Sequence, residues 1–325
     1  MESNQNLDEK SAKKAQSTEW QQNLINRLAF SAITEQRRAR RWGVFFKLLT
    51  FAYIAGILYL YTPDVDLKAG ADDKHTALVE LKGVIAPEKD ASADNVVSGL
   101  RDAFENENAA GVILRINSPG GSPVQSGYIN DEIKRLRKEN PDTPFYVVIS
   151  DICASGGYYI AAAADKIFAD KASIVGSIGV RMDGFGFVDA MDKLGVERRL
   201  LTAGENKGFL DPFQPVKETD VKHVQALLDD IHQQFIEIVK SGRGDKLKDD
   251  PNLFSGFVWT GEQAIELGLV DELGSSSYVA REVIGAETVV DYTPTEDWLD
   301  KFSKRLGTAL GRGIGEVLGG NNMIY

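Results

Sequence analysis

The chain has 325 residues, 43% apolar and 26% charged, with a net charge of −11; it is long enough for one large domain with appendages and ordinary in composition for a globular protein. Residues 1–61 carry nine basic and five acidic side chains, leaving residues 62–325 at −15, and so acidic a body lacks the basic footprint that would make nucleic acid a partner. Cys153 is the only cysteine, which excludes intrachain disulfides and cysteine-built metal clusters.

Residues 1–41 are polar and charged and read as a cytoplasmic tail, with a short helix expected over Trp20–Ile33. From Trp42 to Tyr61 the sequence runs WGVFFKLLTFAYIAGILYLY, interrupted only by Lys47. About 20 apolar residues cross a hydrocarbon core as helix, Lys47 lies near enough to one end to snorkel, and Trp42, Tyr59 and Tyr61 suit the two interfaces. Residues 42–62 are therefore expected to be a transmembrane signal anchor stopped by Pro63. Arg37, Arg38, Arg40 and Arg41 precede it, which places the N-terminus in the cytoplasm and the remainder outside. The small-residue triplet Ala69-Gly70-Ala71 lies too far beyond the apolar run for a cleaved signal peptide.

After a polar linker at 63–74, strands and helices alternate. Strands are expected at Thr76–Val84, Gly111–Ile116, Phe145–Ile149, Lys166–Ala169, Ile174–Val180 and Arg198–Leu201. Helices are expected at Ala93–Glu105, Gln125–Leu136, Ser155–Ala164, Asp189–Leu194 and Val216–Ser241. Continuous apolar runs in strands alternating with helices argue an α/β domain over 75–290, with parallel pairing and both sheet faces covered. In 291–325, Trp298, Phe302, Leu306, Leu310, Ile314 and Leu318 share one helical stripe, suited to a membrane surface, a neighbouring subunit or the domain's own flank. Six glycines from Gly307 to Gly320 weaken that helix.

Two glycine-rich turns carry the candidate chemistry. Asn117-Ser118-Pro119-Gly120-Gly121-Ser122-Pro123 follows one buried strand, and Ala154-Ser155-Gly156-Gly157-Tyr158-Tyr159 follows the next. A serine at a strand-to-helix turn among small residues exposes its hydroxyl, and backbone N–H groups at two such turns can converge on a developing oxyanion. The bland alternatives are an N-cap serine and a tight βα turn. Neither turn has a phosphate-loop lysine or a G-x-G-x-x-G pattern. A serine nucleophile needs a base. His75 stands at the start of the first strand, while His223 and His232 lie on the long polar helix and are expected to face solvent. A desolvated lysine is the other option, with Lys207 in a loop beside Glu205, and with Lys166, Lys171 and Lys193 as further candidates.

Arg115–Pro123 (RINSPGGSP), Ala154–Tyr159 (ASGGYY), Ala164-Asp165-Lys166-Ile167, Val175–Val180 (VGSIGV) and Leu269–Leu273 (LVDEL) occur in an order that resembles signal peptide peptidase A and its relatives. These are bacterial Ser/Lys peptidases of family S49, and the resemblance covers roughly residues 75–280 and fits the short, single-domain form. It implies a Clp protease/crotonase-like fold of repeated β-β-α units. It further implies Ser155 as nucleophile, Lys207 as general base, Ser177 as the serine that orients the lysine amine, and the N–H groups of Gly121 and Gly156 as the oxyanion hole. No metal or cofactor is implied. The implied partners are remnant signal peptides and other short or unfolded chains, with preference for small or apolar side chains, and further copies of the same chain, with serine and lysine drawn from neighbouring subunits. The implied location is the bacterial inner membrane, with the catalytic domain on its periplasmic side. Ser122 stands where the family usually has a third glycine, a departure at the floor of the substrate groove that leaves both donors in place. Two other classes share parts of the pattern: an anchored scaffold without catalysis, and a crotonase-like acyl-CoA enzyme, which would need a catalytic carboxylate and a coenzyme pocket.

Overall fold

A computed structural model of the chain describes residues 20, 35–38, 40–57 and 73–294. Two units are distinguished, Met1–Leu67 and Lys68–Tyr325. In the first, residues 40–57 are helical (α1) and display Phe45, Phe46, Leu48, Leu49 and Phe51 to solvent. No described helix is long and apolar enough to cross a membrane. The end of the expected span at 58–62, residues 21–33 of the expected N-terminal helix, and the C-terminal stripe all lie outside the described residues.

The second unit runs β1 (His75–Lys82), α2 (Ala93–Glu105), β2 (Ala109–Ser118), α3 (Pro123–Glu139), β3 (Phe145–Ala154) and α4 (Gly156–Ala161). It continues through β4 (Lys166–Ala169), β5 (Ile174–Gly176), α5 (Val188–Leu194), α6 (Glu218–Arg243), β6 (Val258–Thr260), α7 (Gly261–Glu266), β7 (Glu272–Leu273), a short helix α8 (Ser276–Tyr278) extended by a π-helical turn at Val279–Ile284, and β8 (Val289–Asp291). Local chemistry sets the helix starts. Ser92 caps α2 by accepting the Asn95 N–H, and Ser122 caps α3 at Gln125, with Pro123 in the first turn.

The eight strands form one sheet, in the order β6-β5-β3-β2-β1-β8, with β4 also on β3 and β7 on β4. Every pairing is parallel except β5 with β6. One face buries Val79, Leu81, Leu114, Ile116, Val147 and Ile149 within the main core. The other packs Leu78, Ile113, Val148 and Phe168 against Val279 and Ala280. This two-sided burial explains why β2 reads as a continuous apolar run rather than an alternating one.

β3 is longer than its apolar run suggests. Residues 146–149 pair with β4, while 152–154 pair with β5, Ala154 opposite Gly176. The strand expected over Ile174–Val180 stops at Gly176 because Ser177 turns to φ 51°. Arg198–Leu201 is not a strand: it has no strand partner among the described residues, and Leu201 is 96% exposed. The parallel strands β1, β2, β3 and β5 all end toward the same side, where parallel α/β sheets hold their ligands.

Candidate active site

Four turns leave those carboxyl ends: Gly83–Ile85 after β1, Pro119–Gly121 after β2, Ser155 after β3 and Ser177 after β5. Together they line a cavity of about 1130 Å³ that contains Val84, Gly120, Gly121, Ser155, Gly156 and Ser177.

Ser155 sits at φ 52°, ψ −123°, and its side chain makes no capping hydrogen bond to α4. The N-cap explanation for this serine is thereby removed. A non-glycine residue held at such a φ carries roughly 1–3 kcal/mol of strain, and the surrounding bonds enforce it. The Ser155 N–H donates to the Gly176 carbonyl at 2.8 Å, and its own carbonyl accepts from Tyr159 at 3.0 Å, opening α4. Because Ala154 stands opposite Gly176 in register, Ser155 and Ser177 leave adjacent strands at matched positions, both with positive φ.

The glycine turn after β2 needs its glycines for space as well as conformation. A Cβ on Gly121 (φ 154°) would lie 2.1 Å from the Ile85 carbonyl oxygen, and one on Gly120 (φ 98°) would lie 2.7 Å from the Ser155 Cβ. The turn is stitched to the end of β1: Ile85 N–H donates to Gly120 O at 3.0 Å, and Ser122 N–H to Ile85 O at 2.8 Å. Beneath it the buried Ser118 hydroxyl donates to Gly83 O at 2.6 Å and accepts from Gly120 N–H at 3.1 Å. The site a Gly156 Cβ would occupy is 3.3 Å from the Gly121 nitrogen and 2.5 Å from the Ser126 hydroxyl. The Gly121 and Gly156 nitrogens thus belong to abutting turns beside Ser155. The Gly121 N–H takes no part in the bridge to Ile85, and Gly156 opens a helix, where N–H groups lack intrahelical acceptors. Among the described residues neither N–H meets an acceptor, and two such donors beside a presented hydroxyl can stabilise a tetrahedral oxyanion.

Lys207 does not line the cavity; it lies exposed in the turn at 204–210, its N–H bonded to Gly204 O at 3.1 Å. No ion pair joins it to Glu205 among the described residues. Its surroundings are unusual, since no residue from 181 to 219 is buried, and Met182, Phe185, Leu194, Val196, Leu201 and Val216 are all exposed. Lys166, Lys171 and Lys193 are exposed as well, and none lines the cavity. The histidine expectation needs one correction. His223 faces solvent, but His232 is half-buried, with Nε2 3.2 Å from the Ile178 carbonyl, because α6 packs this part of its length against the strand end after β5. His75 is buried 2.9 Å from the Tyr292 hydroxyl and away from the cavity, a structural role.

Sequence reasoning missed Ser118, Ser126 and the far wall of the cavity. That wall is built by Val124, Gly127, Tyr128 and Asp131 on α3, Tyr159 on α4, and Phe235 on α6. The signal was present as 124, 127, 128 and 131, one face of a helix.

A family model, Peptidase family S49, matches residues 137–289. The chain is 32% identical over 246 residues to a putative protease of Methanocaldococcus jannaschii, covering 74% of this chain and 78% of that protein. It is 31% identical over 238 residues to a putative signal peptide peptidase SppA of Enterococcus faecium, covering 71% and 69%. Over 186 residues it is 50% identical to a protein of Brucella abortus named Na(+)/H(+) antiporter NhaA, covering 57% of this chain but only 25% of that protein.

Proposed function

We propose, from the premise that this chain belongs to peptidase family S49, a family of serine peptidases, that it hydrolyses peptide bonds with Ser155 as nucleophile. The observation that carries this reading is the geometry of Ser155: strained, uncapped, and set beside the free N–H groups of Gly121 and Gly156. The hydroxyl attacks a peptide carbonyl, the two N–H groups hold the oxyanion, and the amine leaves, giving an acyl-enzyme that water then hydrolyses.

The base in this proposal is Lys207, oriented by Ser177. Within one chain Lys207 is exposed and outside the cavity, so the lysine that serves a given Ser155 comes from a neighbouring copy. The exposed apolar side chains of the segment that carries Lys207 support such an assembly. The Clp protease/crotonase-like ancestry of the sheet, an anchor at 42–62 with the N-terminus in the cytoplasm of a bacterial cell, and remnant signal peptides or other unfolded chains as substrates complete the proposal. The exposed apolar face of α1 and the arginines before it support the anchor. Transport is not proposed, since the region aligned with the Brucella antiporter spans only 25% of that protein.

The test is hydrolysis of a fluorogenic peptide by Ser155→Ala protein, by Lys207→Ala protein, and by the two mixed. Each variant alone is expected to be silent and the mixture to regain part of the activity. Full activity in Ser155→Ala would overturn the nucleophile. A silent mixture with co-assembly verified would overturn the shared site.

A further inference from the structure

The cavity has more wall than a peptide carbonyl and its oxyanion donors require. On α3, Val124, Gly127, Tyr128 and Asp131 all line it, spaced along one helical face that leads away from Ser155. Tyr159 and Phe235 form the facing wall, their rings tilted together at 5.2 Å. Among these apolar and aromatic groups stands a single carboxylate, Asp131, the only acidic residue lining the cavity among the described residues.

Its neighbours on α3 are already engaged. Glu132 pairs with Arg101 and Arg135, and Arg135 also reaches Glu139. No ion pair or side-chain hydrogen bond engages Asp131 among the described residues, and none joins it to Lys134 one turn further on. The one basic residue lining the cavity among the described residues, Arg181, comes from the segment after β5 and leans to Asp183 at 3.4 Å. The Tyr159 phenol is pushed above its ordinary pKa, first by burial and then by the negative charge of Asp131, so the carboxylate's field falls on that aromatic wall.

We infer that this wall is a side-chain subsite selecting substrates with a lysine or arginine, whose cation meets Asp131 and the rings of Tyr128 and Tyr159. The inference rests on the proposed peptidase reading and names the substrate class of the same cavity. A long aliphatic stem lies along Val124 and the ring faces, while the cationic tip gains both a carboxylate and aromatic π-faces. A neutral side chain of equal length covers the carboxylate without pairing it, and an acidic one is repelled. The net charge of −15 over residues 62–325 favours the approach of the same chains.

The test reads binding, so that it stands apart from catalysis. Full-length Ser155→Ala protein is titrated, with fluorescence anisotropy, into labelled peptides that carry lysine, arginine, norleucine or glutamate at one position, moved stepwise along the peptide. Because Asp131 is exposed, lysine and arginine are expected at one position to bind about threefold tighter than norleucine and glutamate to bind weakest, with the preference shrinking as salt rises. Adding Asp131→Asn is expected to bring the lysine-to-norleucine ratio close to one, and Asp131→Lys to favour glutamate. Glu139→Gln, on another face of α3, is expected to leave the ratio as it was. Equal binding of lysine and norleucine at every position, or a ratio that survives Asp131→Asn, overturns the inference. Hydrolysis of the preferred peptide by unmutated protein separately tests the peptidase reading.

Discussion

Gly121→Ala concentrates the catalytic reasoning in one methyl group. The added Cβ would stand 2.1 Å from the Ile85 carbonyl oxygen, where real Cβ contacts do not come closer than 3.0 Å. The turn must therefore retreat by about 1 Å, and φ 154° at this residue is itself unfavourable for a side chain. That retreat loosens the two bonds between the turn and Ile85 and swings the Gly121 N–H away from the oxyanion. Loss of one oxyanion donor costs about 10²–10³ in kcat, and a misplacement of about 1 Å has an effect of about 10² on its own. The expectation is a fall in kcat of at least about 100-fold with KM changed far less, and a stability loss of about 1–3 kcal/mol from strain. Steady-state kinetics on a fluorogenic peptide read the first, and urea unfolding the second. A folded Gly121→Ala protein with kcat within about fivefold of the parent would refute the role of this turn.

Three further residues carry expectations, two on stability and one on thiol access. Asp271 accepts from Arg243, Lys246 and the Ile167 N–H, each at 2.7 Å, and the Arg243 side chain is fully buried; Asp271→Ala strands that cation and should cost about 3–5 kcal/mol in urea unfolding, whereas a loss below about 1 kcal/mol would contradict it. Burial pushes the Asp271 carboxyl up, but hydrogen bonds from Arg243 and Lys246 outweigh it and leave the pKa below its ordinary value; with a depressed folded pKa, this stabilisation is present above about pH 4 and declines as acid titrates the group, so the cost of Asp271→Ala should shrink on acidification. Gly127 lies inside α3 with nothing within 4 Å of an added Cβ, so Gly127→Ala should raise stability by about 0.5–1 kcal/mol, and a lower melting temperature would contradict the open space. Cys153 is buried, and burial drives its thiol pKa up; it should resist a thiol-reactive disulfide reagent until denaturant is added, and immediate labelling of native protein would contradict its place in the core.

Much of the fold is legible because two-sided burial writes itself as apolar runs. The runs at 111–116 and 145–149 mark β2 and β3, and Ala93–Glu105 matches α2 from end to end. The short strands β6, β7 and β8 were not legible. Each has only two or three residues and is defined by its pairing with β5, β4 or β1 rather than by its own pattern. Arg198–Leu201 failed for the converse reason, strand-like residues without a strand to join. In the site, Ser155 and Gly121 were visible as glycine-rich turns after strands. The strain at Ser155 was not, because it arises from its bond to Gly176, a residue 21 positions away. Ser118 looked like one more turn residue, and its hydrogen bond to the Gly83 carbonyl exists only once β1 lies beside β2.

Full-length protein treated with a fluorophosphonate, then digested and analysed by mass spectrometry, should carry the adduct on the Ser155 Oγ, and Ser155→Ala protein should carry none. Modification of a different serine, or labelling undiminished in Ser155→Ala, would contradict the assignment of the nucleophile.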